Sequence, residues 1–185
     1  MRIVRDDLGF AVPTARRDLA SLRTALKAVH QGMLVTAALR TAEHGRFNVS
    51  GRVRRDLTDT AFKVGWWDLT TGKGTEPVAE LQSLVTTDAG DAPAGPGVAK
   101  VDDLRDVVST LAAGDVVTAG FEFEGCGAFT ISGEIRRDEV GTRWVLAGHH
   151  LGHGDAPAAR LRRLTVERRA PALAAASGSD DLSGD

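Results

Sequence analysis

The stretch that decides the fold occurs twice. GMLVTAALRTAEHGRFNVSGRVRRD, residues Gly32–Asp56, returns 82 residues later as GDVVTAGFEFEGCGAFTISGEIRRD, residues Gly114–Asp138. Laid over each other without a gap, the two stretches agree at 11 of 25 positions, where about two matches are expected by chance at ordinary residue usage. A repeat of this kind sets the whole architecture, so the sequence predicts two copies of one folding unit.

The repeat also defines the expected domain boundaries. We expect an N-terminal segment at 1–18, a first unit at 19–87, a linker at 88–100, a second unit at 101–170 and a tail at 171–185. The linker is assigned from its Gly, Pro, Ala and Asp content. The tail ends in SGSDDLSGD and is small, polar and acidic, a composition typical of disorder.

Each unit begins with a helical pattern and continues with strands. Apolar residues recur at spacings of three and four in 19–29 and again in 101–111, which predicts a helix in each copy. The pattern then changes to alternation in 47–53 and 129–135, typical of half-buried strands. Two further strand-like segments follow in each copy, so each unit consists of one helix and four or five short antiparallel strands.

So few strands must curl to bury their apolar face, and we expect each unit to close into a small barrel. Gly51 and Gly133 fall on the inward phase, where a missing side chain lets a strand bend sharply. A helix followed by bent strands is similar to Sm-like and SH3-like small barrels in general shape. The predicted fold is therefore mainly β (α+β), an internal duplication of two helix-plus-small-barrel units.

Composition excludes several classes of protein. The chain has 185 residues and a formal net charge of −2, which disfavours a nucleic-acid binder held by bulk positive charge. No apolar run approaches the roughly 18 residues of a membrane-spanning helix. The single Cys126 cannot form an internal disulfide, and acids interrupt the region where a signal peptide would be apolar. We therefore expect a cytoplasmic protein.

The motif Ser-Gly-x-x-Arg-Arg-Asp, shared by both copies, is the first candidate binding feature. Its arginines form guanidinium forks suited to phosphate or carboxylate. They are Arg54 and Arg55 in the first copy, and Arg136 and Arg137 in the second. The alternative is structural: Asp56 and Asp138 begin a turn and the arginine stems cover the edge of the barrel. Neighbouring strand residues point to opposite faces, which favours the alternative.

The two copies differ in charge at equivalent positions. Arg40 corresponds to Glu122 and Arg52 to Glu134, while residues 1–63 carry twelve basic and six acidic side chains. Complementary charges suggest that the copies dock on each other or that two chains pair. We therefore hypothesise that the two arginines lie near, or steer toward, the acidic equivalents, with unselected surface drift as the alternative.

Histidines form the only local group of metal-capable side chains. His149, His150 and His153 lie in GHHLGHGD, and Cys126 could join them if its strand end lies alongside. Imidazole and thiolate ligands suit zinc, so a zinc site is one hypothesis. The alternative is a histidine-rich loop without metal, because adjacent histidines on a strand diverge.

Tryptophans give the remaining candidates. In strand phase, Phe62, Val64 and Trp66 would fill the first barrel and Trp67 would point to the other side. There, Trp67 could stack on a nucleobase, anchor a partner, or pack against the linker or the second copy.

The leading functional hypothesis is a non-enzymatic module for protein–protein assembly, with itself or another protein. Its expected surface is the junction of the copies, near Trp67, Asp68, His149 and His150. The alternative is nucleic-acid binding through the basic first copy. That alternative would use Arg40, Arg46, Arg52, Arg54, Arg55 and Trp67. No P-loop or nucleophile elbow is present, so the sequence gives no indication of catalysis.

Overall fold

The protein is mainly β. A computed structural model describes residues 19–55, 61–69, 79–87, 101–123, 127–152 and 159–170. The first half contains helix α1 (Leu19–Ala28) and strands β1 (Leu34–Thr41), β2 (Gly45–Arg52), β3 (Arg54–Arg55), β4 (Phe62–Val64), β5 (Trp67–Asp68) and β6 (Glu80–Thr87). The second contains helix α2 (Val101–Ser109) and strands β7 (Val116–Phe123), β8 (Gly127–Glu134), β9 (Arg136–Arg137), β10 (Trp144–Leu146), β11 (His149–Leu151) and β12 (Ala159–Arg168).

The two halves follow the same plan. Each of the first six elements begins 82 residues before its counterpart in the second half. The pairing of the last strand shows an irregularity at the same place in both halves, after Ala38 in β1 and near Leu161, opposite Phe121 of β7. Equal spacing of elements and of a bulge means that corresponding residues occupy corresponding positions.

A six-stranded antiparallel sheet unites the halves, in the order β12-β7-β8-β2-β1-β6. Its centre is the pairing of β2 with β8, where Phe47 faces Gly133 and Gly51 faces Phe129. Val49 faces Ile131 midway between these pairs. The spacing of 82 converts the first of these pairs into the second and makes Ile131 the counterpart of Val49, so an approximate twofold axis passes through the central pair.

The expectation that each unit closes into a small barrel was wrong. Among the described residues the strands form open sheets: the six-stranded sheet and two three-stranded sheets, β3-β4-β5 and β11-β10-β9. The units stay open because the free edge of β2 is used for pairing with the other half. Instead of curling back on its own unit, β2 pairs with β8, so apolar surface is buried across the two halves and the edge strand is covered.

The core lies on one face of the six-stranded sheet. Its strands contribute alternating buried residues, including Val35, Leu39, Val49, Val117 and Ile131. The helices pack at the two ends of the sheet, α1 on β6 and α2 on β12. Of their apolar stripes, Leu22, Val29, Leu104 and Leu111 are buried, whereas Leu19 at the start of α1 is exposed.

Gly51 and Gly133 make room for phenylalanines rather than marking the bend itself. A Cβ on Gly51 would lie 3.0 Å from Cβ of Phe129, and one on Gly133 would lie 3.0 Å from Cβ of Phe47. The strands change sheet further on, at Val53 between β2 and β3 and at the equivalent position between β8 and β9. The shared glycines therefore allow close packing across the twofold axis.

No helix in the described part of the chain is both long and apolar enough to cross a membrane.

Candidate functional site

The junction between the halves contains an aromatic cluster. Trp67 and His149 occupy equivalent positions, and their ring centroids lie 6.4 Å apart. Trp67 also packs on Phe47 at 4.8 Å, while His149 lies 5.3 Å from Phe121 and 5.9 Å from Phe129. The structure therefore brings together two of the four residues predicted at this junction, but as packing inside the protein.

The predicted phase of the tryptophans was wrong. Trp66 is 53% exposed, whereas Trp67 is only 4% exposed. Gly65 and Trp66 form a two-residue turn, and Val64 pairs with Trp67 across it. Residues paired across a hairpin point to the same face, so Val64 and Trp67 are both buried and the turn residue Trp66 is exposed.

His149 is neutral in the folded protein at neutral pH. Burial lowers its pKa, because a charged imidazolium is poorly solvated there. Its Nδ1–H donates a hydrogen bond to the Ala147 carbonyl oxygen at 2.9 Å. This bond fixes the tautomer with the proton on Nδ1. A neutral ring suits its aromatic surroundings.

His44 belongs to the same junction, and sequence reasoning missed it. It lies in the turn between β1 and β2, and its ring centroid is 6.3 Å from that of Trp67. A Cβ on Gly148 of the second half would lie 3.1 Å from Nε2 of His44. The spacing of apolar residues does not predict where the side chain of a histidine in a turn lies, so the sequence pattern did not identify His44.

Asp68 and His150 lie on the rims of this junction. Asp68 forms an ion pair with Lys63, with Oδ1 3.4 Å from Nζ. His150 is exposed on β11. Among the described residues these two equivalent side chains do not contact each other. They occupy equivalent places, but they do not assemble a site.

The four arginines of the repeated motif are engaged within the chain. Arg54 donates two hydrogen bonds to the Gly65 carbonyl and Arg136 donates one to the Glu43 carbonyl. Arg55 lies over the ring of Phe62, and the guanidinium of Arg137 is 3.7 Å from the ring centroid of Trp144. These contacts diverge, so the forks do not converge on one ligand.

Asp138 begins a turn, as the structural alternative requires. Its carboxylate accepts hydrogen bonds from the backbone N–H groups of Thr142 and Arg143. The bond from Arg143 is the main reason why the pKa of Asp138 lies below its ordinary value. The equivalent Asp56 lies outside the described residues.

The other face of the six-stranded sheet, here called the outer face, is polar. Thr36 pairs with Ser50 through hydroxyls 2.8 Å apart, and the equivalent Thr118 pairs with Ser132 at the same distance. Small polar side chains make the middle of this face low and flat, continuous across both halves. Charged side chains lie toward its two ends.

Arg40 and Arg46, here called the basic pair, lie at one end of the outer face. They face each other directly in the register of β1 with β2, and both are exposed. Within the described ranges neither forms a hydrogen bond or an ion pair. Like charges directly opposite on a sheet repel each other, so this arrangement destabilises the free protein slightly.

Acids flank the basic pair but are engaged elsewhere. Glu80 faces Arg40 from β6, yet its Oε2 accepts a hydrogen bond from Gln82 at 3.0 Å. Continuing the β2–β8 register by one residue places Glu134 beside Arg46, and Glu134 pairs with Nε of Arg136 at 4.0 Å. The basic pair therefore keeps both guanidinium groups available.

In the second half, the charge at the position equivalent to the basic pair is neutralised by an ion pair. Glu122, the counterpart of Arg40, forms an ion pair with Arg162 in which the two atoms are 2.7 Å apart. Ala128 replaces the second arginine, opposite Glu122 in the register of β7 with β8. The charge divergence between the halves thus leaves an unsatisfied basic pair in one half only.

The hypothesis of charge pairing between the halves stays a prediction, although no arginine faces its own acidic counterpart. The register places Arg40 and Glu122 at opposite ends of the outer face, as it does Arg52 and Glu134. Arg52 instead donates a hydrogen bond from Nη1 to the Gly32 carbonyl at 3.1 Å. The antiparallel pairing of β2 with β8 is the reason, because a twofold axis sends equivalent residues to opposite ends.

The zinc hypothesis stays a prediction. Among the described residues no three His, Cys, Asp or Glu side chains form a group that could hold a metal ion. His153 and Cys126, two of the expected ligands, lie outside those residues. His149 and His150 alone do not form a site, since one is packed in the aromatic cluster and the other is exposed.

Comparison with known proteins found no protein-family model, no curated protein and no solved structure that matches this chain.

Proposed function

We propose that this protein is a non-enzymatic interaction module, built from a duplicated unit, that binds an acidic segment of a protein partner through the basic pair. The observation that carries the proposal is the pair itself: two exposed arginines in direct register, neither of which forms an ion pair within the described residues, although Glu80 and Glu134 lie on the neighbouring strands. A carboxylate-rich segment would relieve their repulsion and accept their hydrogen bonds. Duplication supplies the broad sheet that presents them.

The comparison between arginines supports this choice of site. Arg54, Arg55, Arg136 and Arg137 are held by carbonyl groups or aromatic rings of the chain itself. Using them for a partner would require breaking those contacts. Arg40 and Arg46 have no such contacts to break, so binding an anion requires less free energy there.

The basic pair suits an acidic protein segment better than a nucleic acid. Binding of single strands relies on bases stacking on exposed aromatic side chains near a basic groove. Trp67, the aromatic residue expected to serve in this way, is buried in the junction, and the exposed Trp66 lies in the turn between β4 and β5, on a different sheet from the basic pair. Two arginines and a net charge of −2 give little of the phosphate neutralisation on which nucleic-acid affinity depends.

Fluorescence anisotropy with a labelled deca-glutamate peptide tests the proposal at low salt. The double variant Arg40→Gln/Arg46→Gln should weaken binding about two- to thirtyfold, because each of the two exposed ion pairs contributes about 0.2–1 kcal/mol. The matched control is Arg23→Gln/Arg163→Gln, which removes the same charge from two other exposed positions. Its affinity should stay within about twofold of the wild type.

Two results would contradict the proposal. One is equal weakening in both double variants, which would indicate general charge attraction. The other is a labelled single-stranded RNA that binds more tightly than the peptide and depends on the same two arginines. That result would favour nucleic-acid binding.

A further inference from the structure

The outer face carries further hydrogen-bond donors beside the basic pair. Two residues along the strands from Arg40 and Arg46, the same face carries Ala38 on β1 and Asn48 on β2, which face each other in the register. Asn48 is partly exposed, and within the described ranges its side-chain amide forms no hydrogen bond. An amide N–H is a neutral donor that can bind an anion together with a guanidinium group. The basic pair is therefore one edge of a larger group of donors.

Ala38 leaves a shallow depression in the middle of this group. Ser83 on β6 faces Ala38 from the other side, and its hydroxyl also forms no hydrogen bond in the part of the chain that the structure describes. The methyl group of Ala38 is shorter than the side chains around it. A ligand above Ala38 would therefore have Asn48 and Ser83 on two sides and Arg40 on the third. Arg46 lies diagonally across, within reach of a long side chain.

Acidic side chains limit how wide the ligand can be. Across four neighbouring strands, this end of the outer face carries an acid, two bases and an acid: Glu80, Arg40, Arg46 and Glu134. At ordinary strand spacing the two arginines lie about 5 Å apart and the two glutamates about 14 Å apart. A compact anion between the arginines is attracted by both, whereas an anion that reaches the outer strands is repelled there. The row therefore favours a small group with concentrated negative charge.

We propose that the basic pair, Asn48 and Ser83 form a site for a single phosphoryl group, carried by a phosphorylated serine or threonine of the protein partner. Such a group has a charge of about −1.5 to −2 and three acceptor oxygens, so it can pair with both guanidinium groups and still accept from the amide. A carboxylate has one charge and two oxygens. The inference rests on the proposed function, because it names the acidic group that the same site binds best.

The second half provides an internal comparison. At the counterparts of the two arginines and the asparagine it carries Glu122, Ala128 and Thr130. A phosphoryl group would meet an acid there instead of two guanidinium groups. Among the described residues the repeat therefore supplies this set of donors in the first half only, and Thr130 is a matched control position for Asn48.

Nuclear magnetic resonance titration of the full chain with two short, capped peptides tests the inference. Both are otherwise uncharged, and the central residue is phosphoserine in one and glutamate in the other. Two exposed ion pairs and two neutral hydrogen bonds give a dissociation constant of about a millimolar or weaker, which this method measures. The phosphoserine peptide should bind at least about threefold more tightly, because glutamate gives up one ion pair and one neutral hydrogen bond.

Side-chain resonances locate the bound group. The phosphoserine peptide should shift the Nε–H signals of Arg40 and Arg46 and the side-chain amide of Asn48, but not the backbone amide of Thr130. Asn48→Ala should weaken its binding about two- to twelvefold, the contribution of one neutral hydrogen bond. Thr130→Ala should leave the affinity unchanged. Both side chains are partly exposed on the outer face, so neither change alters the core.

The outcomes separate this inference from the proposed function. Equal affinity for the two peptides, with both weakened by Arg40→Gln/Arg46→Gln, would overturn the phosphoryl site and leave the proposed function standing. Binding of both peptides that is unaffected by this double variant would contradict both proposals. Inorganic phosphate alone, and vesicles of phosphatidylcholine with phosphatidic acid, offer the same chemistry from other sources. Tighter binding of either than of the phosphoserine peptide would overturn the assignment to a protein segment.

Discussion

At the residue scale, the two halves carry chemically different side chains at several equivalent positions. His149 stands where the first half has Trp67, and fully buried Asp115 stands where the first half has Met33. The repeat in the sequence identifies these positions as equivalent. It does not indicate burial, because the environment of each depends on a hairpin and on contacts with the other half. His44, which has Cys126 as its counterpart, shows the same limit.

The lowered pKa of His149 makes stability depend on pH. The unfolded chain takes up a proton near the ordinary histidine value, about 6.5, while the folded protein resists protonation because the ring is buried. Stability contributed by neutral His149 is therefore complete above about pH 6.5 and is lost as pH falls through the lower folded value. Urea unfolding between about pH 8 and 5 should show a falling free energy of unfolding.

His149→Asn should flatten this dependence, because the amide can still donate to the Ala147 carbonyl but does not titrate. His150→Asn, at an exposed neighbour, is the control and should keep the wild-type slope. An unchanged slope in His149→Asn would show that another group carries the effect.

At the element scale, the hairpins between β4 and β5 and between β10 and β11 position the junction. Their sequences, AFKVGWWDL and RWVLAGHHL, read as continuous strands when only the alternation of apolar residues is considered. Tryptophan is not a turn signal, so the turn at Gly65–Trp66 was missed and the predicted faces of Trp66 and Trp67 were inverted. The existence of the strands could be predicted, but the faces of their side chains could not.

Gly65 is the residue on which this geometry depends. It has φ +57°, and a Cβ there would lie 2.9 Å from the ring of Phe129 in the second half. Gly65→Ala should therefore destabilise the protein through both backbone strain and displacement of the ring, at a total cost of about 2–4 kcal/mol.

Gly141→Ala is the matched control, because Gly141 has φ +75° but no atom within 4 Å of the added Cβ. It should cost only about 1 kcal/mol, the strain of the left-handed conformation. Chemical denaturation of both variants measures the difference. Equal losses would mean that the junction can accommodate the methyl group.

At the scale of the whole molecule, the halves share one sheet through β2 and β8. The repeat indicated two similar units, and the helix-then-strand order within each could be predicted. How they combine could not, because strand alternation specifies which face is buried but not which edge a strand pairs with. Closed units and one shared sheet would both bury the same alternating face of β2 and β8.

Separated halves should not fold as monomers. A chain divided within 88–100 removes the pairing of β2 with β8, so each becomes an edge strand, and it exposes Phe47 and Phe129, which pack across the centre. Near-UV circular dichroism should show little fixed aromatic structure for either fragment alone. Mixing them should restore it at a ratio of one to one, and sedimentation should give the mass of the whole. A folded, monomeric single half would contradict this expectation.

The shared order of elements in the two halves does not imply two binding sites. Arg40 and Arg46 have Glu122 and Ala128 as their counterparts, so the two ends of the sheet present different chemistry to a visitor. A titration with an acidic ligand should saturate at a single equivalent per polypeptide. If a ligand carried many acidic segments, each molecule of this protein would bind one of them. A protein with a single binding site would not cross-link such ligands into a network.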